Sequence, residues 1–274
     1  MLYGCCTNML PRSPGSVGEE YLLMLAVLGY DYVELPLGDL VTMLPHERRQ
    51  SLKKLLADTL PVRACNNFFP NGIRLTGPEP TPFSAIEDYG KRALDTAAEL
   101  GAEICVFGSP WAKACPEGWP LEAAFEQLTE VCRMLGEAAE KAGVTIALEP
   151  NNRSETNSIN TYTEVCSLIR AAGHPRIRGL VDYYHLRYEN EPLADLTEGG
   201  AHLVHTHFAR FDGRRFPKDP AEDALYAPYF AALSEIGYEG GISMEGLIGA
   251  PADLERDASA ALAFFKAMAK TAAR

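Results

Sequence analysis

Two segments share one pattern that restricts what the whole chain can fold into. Residues 144–149 (VTIALE) put Val144, Ile146 and Leu148 on one side of an extended strand and Thr145, Ala147 and Glu149 on the other, because successive strand side chains alternate. Residues 240–247 (GGISMEGL) repeat it, with Ile242 and Met244 opposed to Gly241, Ser243 and Glu245. Large aliphatics on one face, and small residues ending on an acid on the other, do not suit a two-layer sandwich. They suit a strand that packs helices outside and lines a closed barrel within. Glu149 and Glu245 then meet at the barrel mouth.

The remaining sequence supplies the other strands. Short apolar runs at 1–8, 32–35, 62–65, 104–107, 177–182 and 203–208 read as extended. Between them, helical spacing predicts helices over 17–28, 39–56 with Pro45 as a break, 85–100, 121–142, 161–172, 221–236 and 253–270. With the 193–196 region between the sixth and seventh strands, strand and helix alternate eight times in 274 residues, matching the size of a (β/α)8 TIM barrel, a single-domain α/β fold. A doubly wound open sheet would carry a glycine-rich phosphate turn, and no GxGxxG follows the first strand. Residues 66–83, rich in Pro, Gly, Asn and aromatics, are long for a structureless connection. They read as a substrate-covering segment or a surface excursion.

A formal charge of -12 argues against affinity built on phosphate neutralisation, and so against a nucleic-acid partner. The seven cysteines are odd in number and scattered, and Cys5–Cys6 is not a zinc-type CxxC. That usage suits a reducing compartment. With no signal peptide and no apolar run of about 18 residues, the expectation is a cytoplasmic protein without membrane contact.

Four consecutive strand ends carry metal-type ligands: Glu149, Asp182 (in GLVDYYHL), His207 (in HLVHTHF) and Glu245. Neighbouring strands lie about 5 Å apart, so these groups converge. Each close carboxylate pair would cost on the order of 4 kcal/mol at 4 Å and an effective dielectric of about 20. A divalent cation removes that cost. Oxygen-rich ligation with one imidazole suits Mn²⁺ first, with Mg²⁺, Co²⁺ and Zn²⁺ as alternatives. His205, two residues before His207, lies on the same strand face and reads as a group behind the ligands. Cys65 at the third strand end, Phe68 in the 66–83 segment and Trp111 after the fourth strand are candidates for the pocket wall.

LEPNNRSET, VDYYHL, the HTH of the seventh strand and SMEG resemble the metal-site motifs of the xylose isomerase-like TIM-barrel superfamily, the sugar isomerase, epimerase and endonuclease IV group. The resemblance covers essentially the whole chain and is strongest to ketose 3-epimerases of the tagatose and psicose type. It implies one divalent metal on Glu149, Asp182, His207 and Glu245, with Glu149 and Glu245 also catalytic. It implies substrate binding by Glu155, six residues after Glu149, and by His185, three after Asp182. A substrate-binding arginine follows the metal histidine in that family. Here Arg210, Arg214 and Arg215 compete, and Arg214 is the choice. The expected reaction is proton abstraction beside the carbonyl of a carbohydrate, through an enediolate, with homo-dimers or tetramers common among relatives. Two alternatives use the same residues: dehydration or isomerisation of a keto-inositol, and cleavage of an oxidised sugar C-glycoside. Endonuclease IV-like repair is remote, because His46 is the single histidine before the fifth strand.

Overall fold

The computed structural model describes residues 1–272. Eight parallel strands follow one another around a closed barrel: β1 (Leu2–Cys6), β2 (Tyr32–Pro36), β3 (Val62–Asn66), β4 (Ile104–Phe107), β5 (Thr145–Leu148), β6 (Ile177–Asp182), β7 (Leu203–Phe208) and β8 (Gly241–Met244). β8 closes on β1 with Leu2 opposite Gly241 and Cys5 opposite Met244. The helices are α1 (Leu22–Leu28), α2 (Leu37–Thr42), α3 (His46–Asp58), α4 (Phe83–Leu100), α5 (Pro110–Lys113), α6 (Leu121–Ala142), α7 (Tyr162–Ala172), α8 (Tyr183–Glu189), α9 (Leu193–Glu198), α10 (Tyr226–Glu235) and α11 (Leu254–Ala272).

The alternation expected of β5 and β8 is present. Ile146, Leu148, Ile242 and Met244 join the large hydrophobic layer shared with the helices, while Ala147 packs inside the barrel with Ala64, Ile104, Val106 and Leu180. The lower interior also holds Tyr32, which glycines on β1 and β8 accommodate. A Cβ on Gly4 would lie 2.1 Å from its ring, and one on Gly241 2.5 Å from its hydroxyl. Tyr32 and Glu34 therefore face inward, and Val33 and Leu35 outward.

Three elements differ from the sequence expectation. Helix α1 begins at Leu22 rather than residue 17, because Gly18 takes a left-handed φ of 98° and residues 19–21 form a 3₁₀ turn. The 39–56 segment divides at Pro45 as expected, but its first helix starts at Leu37 rather than residue 39. Helix α8 had no periodic signal of its own; it starts directly after Asp182, whose side chain accepts the Tyr184 N–H. The 66–83 segment is packed down rather than projecting: Phe68 and Phe69 are fully buried, the Tyr89 hydroxyl donates to the Phe68 carbonyl at 2.7 Å, and Leu75 N–H reaches Ala112 O at 2.8 Å.

Candidate active site

Each acidic strand end still hangs on its neighbour's backbone. Glu149 N–H donates to Phe107 O at 3.1 Å and Glu245 N–H to Phe208 O at 3.0 Å, so both carboxylates stand one step past β5 and β8. Asp182 and His207 sit opposite each other in the β6–β7 register. His207 Nδ1 lies 3.0 Å from Glu149 Oε1 and 3.3 Å from Glu245 Oε2. His185 Nε2 lies 3.5 Å from Asp182 Oδ2 and 3.9 Å from Glu155 Oε2. Room for Glu149 comes from Gly108, where a Cβ would approach Glu149 Oε2 to 2.1 Å.

Arg214 covers this cluster. Its guanidinium lies 2.8 Å from Glu245 Oε2, 3.0 Å from Glu155 Oε1 and 3.5 Å from Asp182 Oδ2. Its backbone takes φ 48°, a left-handed conformation next to Gly213 at 71°; such strain is found where a side chain must be aimed. The competitors point elsewhere. Arg210 pairs with Asp212 and Glu222, and Arg215 lines a separate cleft with Lys218 and Arg256.

The electrostatics follow from burial and mutual repulsion. Burial, with Glu245 and Glu149 adding to it against Arg214, raises the Asp182 carboxyl to about 7. Burial opposes ionisation of Glu245 too, but His207 and Arg214 outweigh it and hold it at about 2. Burial lowers His185, and the positive Arg214 adds to that. Burial raises Glu155, against the pull of Arg214.

Two candidates for the pocket wall are corrected. Cys65 is the outward residue of its strand end, fully buried in the layer beneath the helices; the alternation of β3 turns Asn66 inward instead, with its amide 3.0 Å from Asn8 Oδ1. Phe68 belongs to an aromatic cluster with Phe69, Tyr89 and Phe107. Trp111 is 38% exposed, its indole N–H 3.2 Å from Pro70 O.

Several site groups escaped sequence reasoning. Glu34 is fully buried, with Oε1 2.9 Å from His207 Nε2 and Oε2 2.8 Å from His205 Nε2. An acid inside the apolar strand YVELP was the available signal. Ser243 donates to Glu34 at 2.6 Å, Asn8 donates to Glu245 at 2.9 Å, and Lys113 Nζ donates to the Glu149 carbonyl at 2.5 Å.

The residues fit a divalent cation. Glu149, His207 and Glu245 bring ligand atoms within 4.8 Å of one another, as do Glu149, Asp182 and His185. Asp182 Oδ2 is buried and accepts no hydrogen bond. Carboxylates with one imidazole are a donor set for hard or borderline divalent ions. A cleft of about 400 Å³ at the opposite barrel end is lined by Arg63 and Glu103, which pair with each other at 2.8 Å. Among the described residues, no helix is long and apolar enough to cross a membrane.

The chain is similar to several known proteins. A ketose 3-epimerase of Arthrobacter globiformis is 28% identical over 225 residues, 79% of this chain and 73% of that one. A 3-dehydro-D-guloside 4-epimerase of Escherichia coli (strain K12) is 28% identical over 180 residues, 62% of this chain and 67% of that one. The crystal structure of D-psicose 3-epimerase from Clostridium cellulolyticum H10, with D-tagatose, superposes with a TM-score of 0.85 over 98% of this chain and 99% of that one, at 20% identity. That likeness speaks to the fold, and the relatives are epimerases, enzymes of the isomerase type. The model of the xylose isomerase-like TIM barrel matches residues 23–268, and with the barrel and its ring of carboxylates already in view, the chain belongs to that family.

Proposed function

We propose that this protein is a divalent-metal-dependent epimerase of keto sugars that inverts the carbon beside the carbonyl, C3 of a ketose being the reaction its relatives favour. The observation that supports the reading is the approach of two carboxylates, Glu149 and Glu245, to the same His207 Nδ1 at 3.0 and 3.3 Å. They project from β5 and β8, which β6 and β7 separate. Inversion requires one group to remove a proton from one face and another to return a proton to the opposite face.

Glu149, Asp182, His207 and Glu245 would hold the metal. A bound divalent cation would supply the positive charge that stabilises the enediolate when the α-proton leaves. Glu245 is proposed as the base that removes the proton; Glu149 then returns a proton to the opposite face, and the roles exchange for the reverse reaction. Glu155, His185 and Arg214 bind the sugar hydroxyls and keep the reacting carbon between the two carboxylates. Arg214 also closes the site from above, which limits water near the enediolate. The seven free cysteines support a reducing, cytoplasmic setting.

The test is elemental analysis of the purified protein followed by deuterium uptake from D₂O into fructose, psicose and tagatose. One divalent ion per chain and exchange at C3 is the expected result. A protein that takes up no Mn²⁺, Co²⁺, Mg²⁺ or Zn²⁺ would end this reading.

A further inference from the structure

Two elements of the site each turn one polar group inward and aromatic groups outward. Helix α8 carries His185 toward Asp182, while Tyr184 and Tyr188, four residues apart, share its outer face. The turn after β7, closed by Arg210 N–H on Arg215 O at 2.8 Å, carries Arg214 inward and Phe211 outward. The outward rings meet: Tyr184 lies 6.2 Å from Tyr188 and 6.4 Å from Phe211, and Tyr188 lies 6.4 Å from Phe211, centroid to centroid. Phe211 is 41% and Tyr188 40% exposed. Behind them, the Arg187 guanidinium sits 5.2 Å from the Phe211 ring and is fixed by Asp223 at 2.7 Å.

This surface is continuous with the carboxylate cluster. The Arg214 guanidinium carbon lies 4.8 Å from the Tyr184 ring centroid while its nitrogens reach Glu245, Glu155 and Asp182. The outer rings stand one ring spacing beyond the ring that touches Arg214. Adjoining exposed aromatics are costly in water, and clustered ones mark a contact surface. Their flat faces suit the C–H face of a pyranose or an aryl ring. A single sugar held by the carboxylates, Glu155, His185 and Arg214 has its polar groups engaged there. The occupant of the outer rings is then a second ring on the same molecule.

We propose that Tyr184, Tyr188 and Phe211 form a subsite for a ring carried by the substrate, so that the substrate class is a keto sugar bearing a glycosyl or aryl substituent rather than a free ketose. This rests on the epimerase reading of the adjoining site. The test compares the Mn²⁺-loaded enzyme on fructose, on 6-O-glucosyl-fructose and on phenyl 3-keto-β-glucoside, by deuterium exchange beside the carbonyl. At least one ring-bearing substrate is expected to exceed fructose in kcat/KM by about 10-fold, the size of one aromatic contact. Phe211→Ala and Tyr188→Ala should erase most of that ratio through KM, with melting temperature and Mn²⁺ affinity as in the parent. Equal kcat/KM across the three substrates, or a ratio that neither variant moves, overturns the subsite and leaves the epimerase reading standing. Binding of unreactive phenyl β-glucoside is measured by calorimetry alongside. Binding to the parent that both variants lose, with no exchange into any substrate, upholds the subsite and ends the epimerase reading.

Discussion

Glu34 Oε1 lies 2.9 Å from His207 Nε2, on the side of the imidazole away from Glu149 and Glu245. Both ring nitrogens therefore face carboxylate oxygens, and against the effect of burial Glu34, Glu245 and Glu149 together raise the His207 pKa. With a divalent cation bound, Glu34 would keep the proton on Nε2 and leave Nδ1 to ligate. A carboxylate behind a ligating histidine fixes its tautomer, orients its ring and raises its basicity. The other Glu34 oxygen ties in His205 at 2.8 Å and Ser243 at 2.6 Å, and Ser243 meets the Tyr32 hydroxyl at 2.9 Å. A polar network anchored on Glu34 thus shares the barrel interior with the apolar cluster of Ala64, Ile104, Val106, Ala147 and Leu180.

Glu34→Gln keeps the shape and removes the charge. Mn²⁺ affinity should fall about 10- to 100-fold, the usual cost of losing such a partner, with the fold intact by circular dichroism. An unchanged dissociation constant in calorimetric titration would remove Glu34 from the metal's support.

Gly108→Ala tests the crowding at Glu149. The added methyl would sit 2.1 Å from Glu149 Oε2, so the carboxylate must swing away from His207. The variant should melt within a few degrees of the parent yet lose about 10²-fold or more in exchange rate, the scale of a 1 Å misplacement. Retained activity would show that Glu149 has another productive rotamer.

Glu245→Gln separates folding from chemistry at the proposed base. Glu245 accepts from Asn8 and Arg214, and a glutamine oxygen still accepts from one of them. Deuterium exchange into the substrate should vanish while the melting temperature holds. Exchange that persists would take Glu245 out of the proton path.

How much of this was readable in advance depends on whether a residue's role lies in its own strand or in its neighbours. Glu149 and Glu245 announced themselves, because an acid closing a strand of small inward residues has a face and an end. Arg214 was separable from Arg210 and Arg215 only in three dimensions, where a left-handed residue after Gly213 turns it inward. Cys65 was misplaced by one residue, and one residue in a strand exchanges the two faces. Phe68 was misread because aromatics in a long loop look alike whether they cover a pocket or staple the loop to the core. Glu34 shows the opposite failure: its strand is short, its acid is isolated, and its partners His205, His207 and Ser243 lie more than 170 residues away.

Phe68→Ala settles which kind of loop residue Phe68 is. The ring lies 4.8 Å from Phe69 and 6.2 Å from Phe107 and is fully buried. Its truncation should cost about 3–5 kcal/mol by denaturant unfolding, as for other core aromatics. KM for the sugar should stay within about two-fold of the parent, since a core residue alters stability and not substrate contact. A large rise in KM with little loss of stability would return Phe68 to the pocket wall.

Glu191 offers a pH test remote from the metal. Its Oε1 accepts the Tyr162 N–H at 2.6 Å, its Oε2 is buried without a partner, and burial raises its carboxyl to about 7. The folded protein holds this proton more tightly than the unfolded chain, where a glutamate titrates near 4.3. Stability is therefore lost as pH rises from about 4.5 through 7, by up to about 3 kcal/mol from this group. Glu191→Gln keeps an oxygen for Tyr162 and removes the ionisation. The variant should melt close to the parent at pH 4.5 and several degrees above it at pH 8. Parallel melting curves across that range would mean that Glu191 ionises inside the fold without penalty.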